Sequence, residues 1–330
     1  MTTRRQFLSV VGGAGLVVVA SCGTKPPAKR KAAEPAKSPV PSRTPAGVVR
    51  DLAPGPEGAV FDMVTGLLAV AVREPTRLLL IEPVFGQVQL SIPIPGHARH
   101  LQLAAPGGPV LLPAEDANAL LQVALPTGAI TETAVGTYPH DAAQAADGTI
   151  VVADEMGGTL SIVRNNMVVR TVSDLTQPGG VTTVGDNAIA IDVGAFTVSV
   201  YDVVSGKRLA RRTAGSGPTH IASSREGRVH VLDTTGGSVL TYGVPSLDLL
   251  DTARLGNAPY GVTYDDSRDL LWVSLTASNE VVGLSTATNR LKEVGRYDTV
   301  QQPNTVATDP VSGRIFVLSR TTGQLQVITP

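Results

Sequence analysis

A unit of about 40 residues recurs seven times along this chain, and that period constrains the fold more than any other feature. A proline or its replacement marks the same point in each copy: Pro56, Ala98, Pro139, Pro178, Pro218, Pro259 and Pro303, spaced by 42, 41, 39, 40, 41 and 44 residues. An apolar strand follows each mark. A turn, often with Gly, leads to a second strand, as at 149–153, 188–191, 228–232, 270–274 and 314–318. A third strand alternates apolar and polar residues (160–163, 198–201, 239–242, 325–328), and a fourth is more polar (208–212, 248–254). Four short strands per unit make a propeller blade, which cannot cover its own two faces and must pack against its neighbours. The second strands are near-continuous apolar runs, as expected of strands buried on both faces. Composition agrees: aromatics are 4% of the chain, against 34 Gly and 24 Pro, a turn-rich balance unlike that of a helical bundle.

The expected fold is therefore all-β, a seven-bladed propeller over residues 48–330. The seventh unit reaches Pro330 directly after its third strand. The segment 48–52 (Val-Val-Arg-Asp-Leu) has strand character and no partner in the first unit. It is expected to supply the outer strand of the last blade and so remove an exposed edge. With its Pro-x-x-strand-turn-strand pattern, the repeat resembles propellers of the YVTN and NHL type over essentially all of 54–330. The resemblance implies fold rather than activity, because such propellers include protein-binding scaffolds, lactonases and other enzymes.

Residues 1–21 read as an export leader. Thr3-Arg4-Arg5-Gln6-Phe7-Leu8 closely matches the twin-arginine pattern, and Phe7 to Ala20 is an apolar run of 14 residues, too short to span a bilayer as a helix. Val19-Ala20-Ser21-Cys22 resembles the bacterial lipobox, whose cysteine receives diacylglycerol. Cys22 is also the only cysteine, so the folded domain has no disulfide, no thiolate ligand and no cysteine nucleophile. Residues 22–47 hold six prolines with many Ala and Lys, and read as a disordered tether from lipidated Cys22. The whole is similar to actinobacterial cell-envelope lipoproteins: a membrane partner through the lipid anchor, an extracytoplasmic address and a monomeric domain are expected.

Charge is unevenly spread. Residues 23–47 carry six Lys/Arg against Glu34, whereas the chain from 48 onward is net −8. Such an acidic domain makes a poor nucleic-acid binder, since phosphate contacts need a basic surface. No Gly-x-Ser-x-Gly elbow, His-Glu-x-x-His or phosphate-binding loop occurs.

In propellers the loops joining strand d to the next strand a, and strand b to strand c, open on one face around the central channel. In the b–c slot, four consecutive blades carry an acid, Glu115, Asp154, Asp192 and Asp233, with Glu155 beside one of them; Arg73 and Ser319 with Arg320 take the slot elsewhere. An arc of carboxylates suits a cationic ligand or a divalent cation such as Ca²⁺. The same aspartates, placed before turn glycines, equally suit accepting the turn's own N–H groups. In the d–a slot stand His100, His140 with Asp141, and His220. Three imidazoles on one channel suit a transition metal or acid–base chemistry, although blades two, three and five are not all adjacent, which argues against one ion reaching all three. Trp272 falls in a buried-strand pattern. Tyr138 and Tyr260 flank the d–a prolines, either as an aromatic rim or as packing between blades. Two functions follow: a binding module for a protein, glycan or small ligand at this face, or a metal-assisted lactonase or other hydrolase using the channel His and Asp residues.

Overall fold

The computed structural model describes residues 29–330. The leader, the lipobox and Cys22 lie outside the described residues. From Val48 onward the chain forms seven four-stranded antiparallel sheets, six of them built from four consecutive strands. The blades, in chain order, cover 56–93, 102–134, 139–172, 178–213, 218–254, 259–298 and 303–328.

Period-two alternation of the second strands explains the ring. In the first blade Leu68, Val70 and Val72 share a buried cluster with Phe316 and Leu318 of the seventh. Ala69 and Ala71, on the other face of the same strand, pack with Val110 and Leu112 of the second. Leu111 turns the opposite way and meets Val152 of the third. Each successive pair of blades shares such a cluster, so the core is seven interblade layers rather than one centre. Trp272 lies in the layer between blades six and seven, 2% exposed. It needs Gly283 opposite, because a Cβ there would fall 2.6 Å from its ring.

The seventh blade has only three strands of its own. Val48–Asp51 pairs antiparallel with the last strand, Val48 opposite Val327 and Asp51 opposite Gln324, so that the order runs from 48–51 through the third and second strands of the blade to its first. Polar capping reinforces the seam: Gln326 Nε2 donates to Ala46 O at 2.7 Å, and Leu52 N–H donates to Gly323 O at 2.9 Å.

Residues 29–47, read from composition as a tether, contain no helix or strand, yet many of them lie against the blades. Ser38 is only 5% exposed.

Because the ring is closed without a covalent link, deleting 48–51 removes about four backbone hydrogen bonds at roughly 1 kcal/mol each. The expected cost is about 4 kcal/mol and a fall in Tm of roughly 10 °C. Calorimetry of the truncated domain checks this, and an unchanged Tm would refute closure.

Candidate functional site

The d–a proline is followed by a distortion that positions the mouth of the channel. In blade three the register steps from Pro139 opposite Asp154 to Asp141 opposite Ala153, leaving His140 bulged. Blades four, five and seven do the same at Gly179, Thr219 and Asn304. A bulge leaves one residue unpaired and re-aims its side chain. By position after the mark, one tier around the axis is Glu57, Arg99, His140, Gly179, Thr219, Tyr260 and Asn304. The next tier is Gly58, His100, Asp141, Gly180, His220, Gly261 and Thr305.

His100, His140 and His220 meet across the channel even though their blades are not all neighbours. The His100 ring centroid is 4.7 Å from both His140 and His220, stacked on the latter, and His220 stands edge-on to Tyr260 at 4.3 Å. Below these rings the axis opens into a channel of about 320 Å³, lined by His100, His220, Asp141, Phe61 and Tyr264 among others.

Glu115 is the hub of the charged part. It is fully buried, its Oε1 is 2.7 Å from His140 Nδ1, and its Oε2 is 2.7 Å from His97 Nε2. Arg99 Nε lies 3.4 Å from Oε1. Glu155 approaches His140 Nδ1 at 3.4 Å and accepts from Gln177 Nε2 at 2.8 Å. Burial pushes the Glu115 carboxyl up, but the His140 hydrogen bond and the charges of His140, Arg99 and His97 outweigh it, so it ionises below its ordinary range. His140 is the reverse case: burial pulls it down, and the Glu115 hydrogen bond with the two carboxylates lifts it above ordinary histidine. His100, deprived of water and facing His220, His140 and Arg99, is held well below it. Burial and His140 take His220 down to about 3. Asp141 is pushed up to about 6 by burial, partly offset by the Val181 N–H and the Gln102 amide.

The acids of the b–c slot divide. Asp192 accepts from the N–H groups of Thr176, Gln177, Gly194 and Ala195 at 2.7–3.1 Å. Asp233 accepts from those of Ser216, Gly217 and Gly236 at 2.8–3.0 Å. Asp154 takes Gly136 N–H and the hydroxyls of Thr159 and Ser161, and burial raises it to about 6. These three carboxylates hold their own loops; Glu115 and Glu155 alone of the arc reach the histidines. On the other side of the mouth, Arg73 and Arg320 both pair with Glu57. Among the described residues no three His, Asp or Glu form a group placed to hold a metal ion.

Arg99 and Glu57 occupy the His140 slot, yet neither is distinguished in the sequence by residue type. The signal that groups them with His140 is their shared position one residue after the d–a mark.

The shifts carry a pH signature. His220 is neutral in the fold and gains a proton near pH 6.5 once unfolded, so its contribution to stability is present above pH 6.5 and is lost as pH falls toward about 3. A His220→Phe variant should lose less stability than the parent between pH 7 and pH 4, by roughly 3 kcal/mol in denaturant titrations. Equal losses would contradict a buried neutral ring.

No protein-family model matches this sequence, and no curated protein matches it. Solved structures do. Virginiamycin B lyase from Staphylococcus aureus aligns at TM-score 0.70 and 14% identity, over 85% of this chain and 98% of its own. U3-55K aligns at 0.75 and 13%, over 87% and 100%. Hydrazine synthase of Kuenenia stuttgartiensis aligns at 0.65 and 17%, over 86% and 97%. At these identities the likeness is one of fold, the seven-bladed β-propeller.

Proposed function

We propose that this chain is an exported lipoprotein, anchored through Cys22 at the outer face of the cell membrane, whose propeller binds a ligand at the mouth described above. Three leader features in the order required for export and lipidation support the address. One observation carries the binding reading: Arg99, Glu115, His140 and Glu155 are gathered in one contact network where the ring does not need them. The interblade layers already hold the blades together, and Gly179 and Thr219 fill the His140 slot in blades four and five. Taking such charges out of water costs several kcal/mol before pairing offsets it. A cluster retained at that cost, at the end of a channel, fits recognition of a polar ligand.

A second reading, a hydrolase, rests on a specific pair. Glu115 orients and charges His140 as a base is oriented in acid–base catalysis, and Asp141, near 6, offers a second proton carrier. The three imidazoles stand ring to ring, so a metal-assisted version needs them to turn.

Two measurements test these readings. Cys22→Ser should move the protein from the membrane fraction to the soluble fraction; retention in the membrane would refute the anchor. For the domain, the binding reading expects no bound metal and a Tm unchanged by chelator, Ca²⁺ or Zn²⁺. Stoichiometric metal in the parent that is lost in the His140→Ala variant, with a Tm that falls on chelation and recovers when metal is added back, would favour the hydrolase.

A further inference from the structure

Residues 30–41 cross the mouth with no turn or bend, and the ring holds them by the backbone. Arg30 N–H donates to Gly194 O at 2.6 Å, while its guanidinium lies over Phe196, 4.9 Å from the ring centroid. Ala32 packs on the layer between blades four and five, and Ala33 lies over Gly217. Glu34 shares a small cavity with Arg99, His140, Glu155, His220 and Tyr260. Further on, the side-chain amide of Gln302 treats the segment as a neighbouring strand would. Its Oε1 accepts from Ser38 N–H and its Nε2 donates to Ala36 O, both at 2.9 Å. Ala36 N–H also donates to Thr276 Oγ1 at 3.1 Å, and Asn279 Nδ2 donates to Pro39 O at 2.9 Å.

Gln302 is set for this task. Its own N–H donates to Asn279 Oδ1 at 3.0 Å and its backbone sits at φ +56°. Prolines at 35, 39 and 41 lack N–H groups and favour the extended form, so Ala36 and Ser38 supply donors at the two-residue spacing of a strand. Small side chains at 32 and 33 permit the close approach. What the face selects in this segment is extended backbone between prolines, with small residues and one carboxylate above the histidine tier.

We propose that the top face is a receptor for an extended, proline-containing peptide of a partner, and that residues 30–43 are its occupant in cis. This rests on the reading of the mouth as the recognition face and names its ligand class. A covalently attached occupant acts at millimolar effective concentration, so a partner peptide meets an occupied groove and binds the intact chain weakly.

The test uses a fluorescent peptide of residues 29–43 and the full chain from Cys22 onward, read by polarisation. Two variants unseat the cis segment without touching a blade: Ala33→Trp, and residue-for-residue replacement of 30–43 by Gly and Ser. The expected result is binding at least ~10-fold tighter to both variants than to the parent. That binding should be lost when Gln302→Ala is added. A peptide N-methylated at the residues equivalent to Ala36 and Ser38 carries the same charge and should not bind, which separates backbone recognition from attraction of a basic peptide to an acidic ring. Equal binding by parent and variants would overturn occupancy in cis. No binding by either variant, or equal binding of the methylated peptide, would overturn the peptide class, while the metal and chelator measurements on the mouth would stand unaffected.

Discussion

The pairing of Val48–Asp51 with the last strand is the interaction on which the rest depends. Every blade buries its two faces on neighbours, so the layer between blades seven and one exists only if the ring closes. Without a disulfide, closure rests on one short antiparallel ladder and the Gln326 and Gly323 contacts beside it. Because the closing strand enters from the N-terminal side, the chain just before it must leave along the ring, and it leaves across the mouth. Closure and coverage of the mouth are thus two consequences of one path.

At the mouth, geometry and charge reinforce each other. In blades three, four, five and seven the bulge after the d–a proline frees one side chain from the ladder, and in every blade the residue after the d–a mark stands at the mouth. Blades one to three place Glu57, Arg99 and His140 there, and blade two adds Glu115 from its b–c loop. The result is polarised: His140 is lifted by carboxylates, whereas His100 and His220, one residue further along their strands, are held neutral against it. If Cys22 carries the proposed lipid, eight residues separate it from the seated Arg30, a span of at most about 28 Å.

Much of this was legible in the sequence. The 40-residue period, the apolar second strands and the unpartnered 48–52 segment identify the fold, the blade number and the closing strand, because each is a local pattern repeated or conspicuously missing. Trp272 as core followed from the same pattern. The histidine tier was legible as a slot, but its contacts were not: His100 meets His220 only because the channel is narrow there, a property of the assembled ring. For Asp154, Asp192 and Asp233, ligand arc and turn acceptor predict the same residue type before the same glycines, and only the direction of the carboxylate separates them. Residues 30–43 were the least legible. Ala, Pro and Lys bury little apolar area, so composition reads as a solvated tether, while the partners that seat them, Thr276, Asn279 and Gln302, lie some 240–266 residues away.

Amide hydrogen exchange across residues 30–51 tests the central claim, that the N-terminal segment both closes the ring and lies over its mouth. The account predicts that the ladder-bonded amides of Val48–Asp51 exchange only with global unfolding, as slowly as the central strand Ile315–Ser319, and that the bonded amides of Arg30, Ala36 and Ser38 are protected at least ~100-fold over free chain. Free-chain rates from residue 30 to residue 43, or a closing strand that exchanges while the blades stay protected, would contradict it.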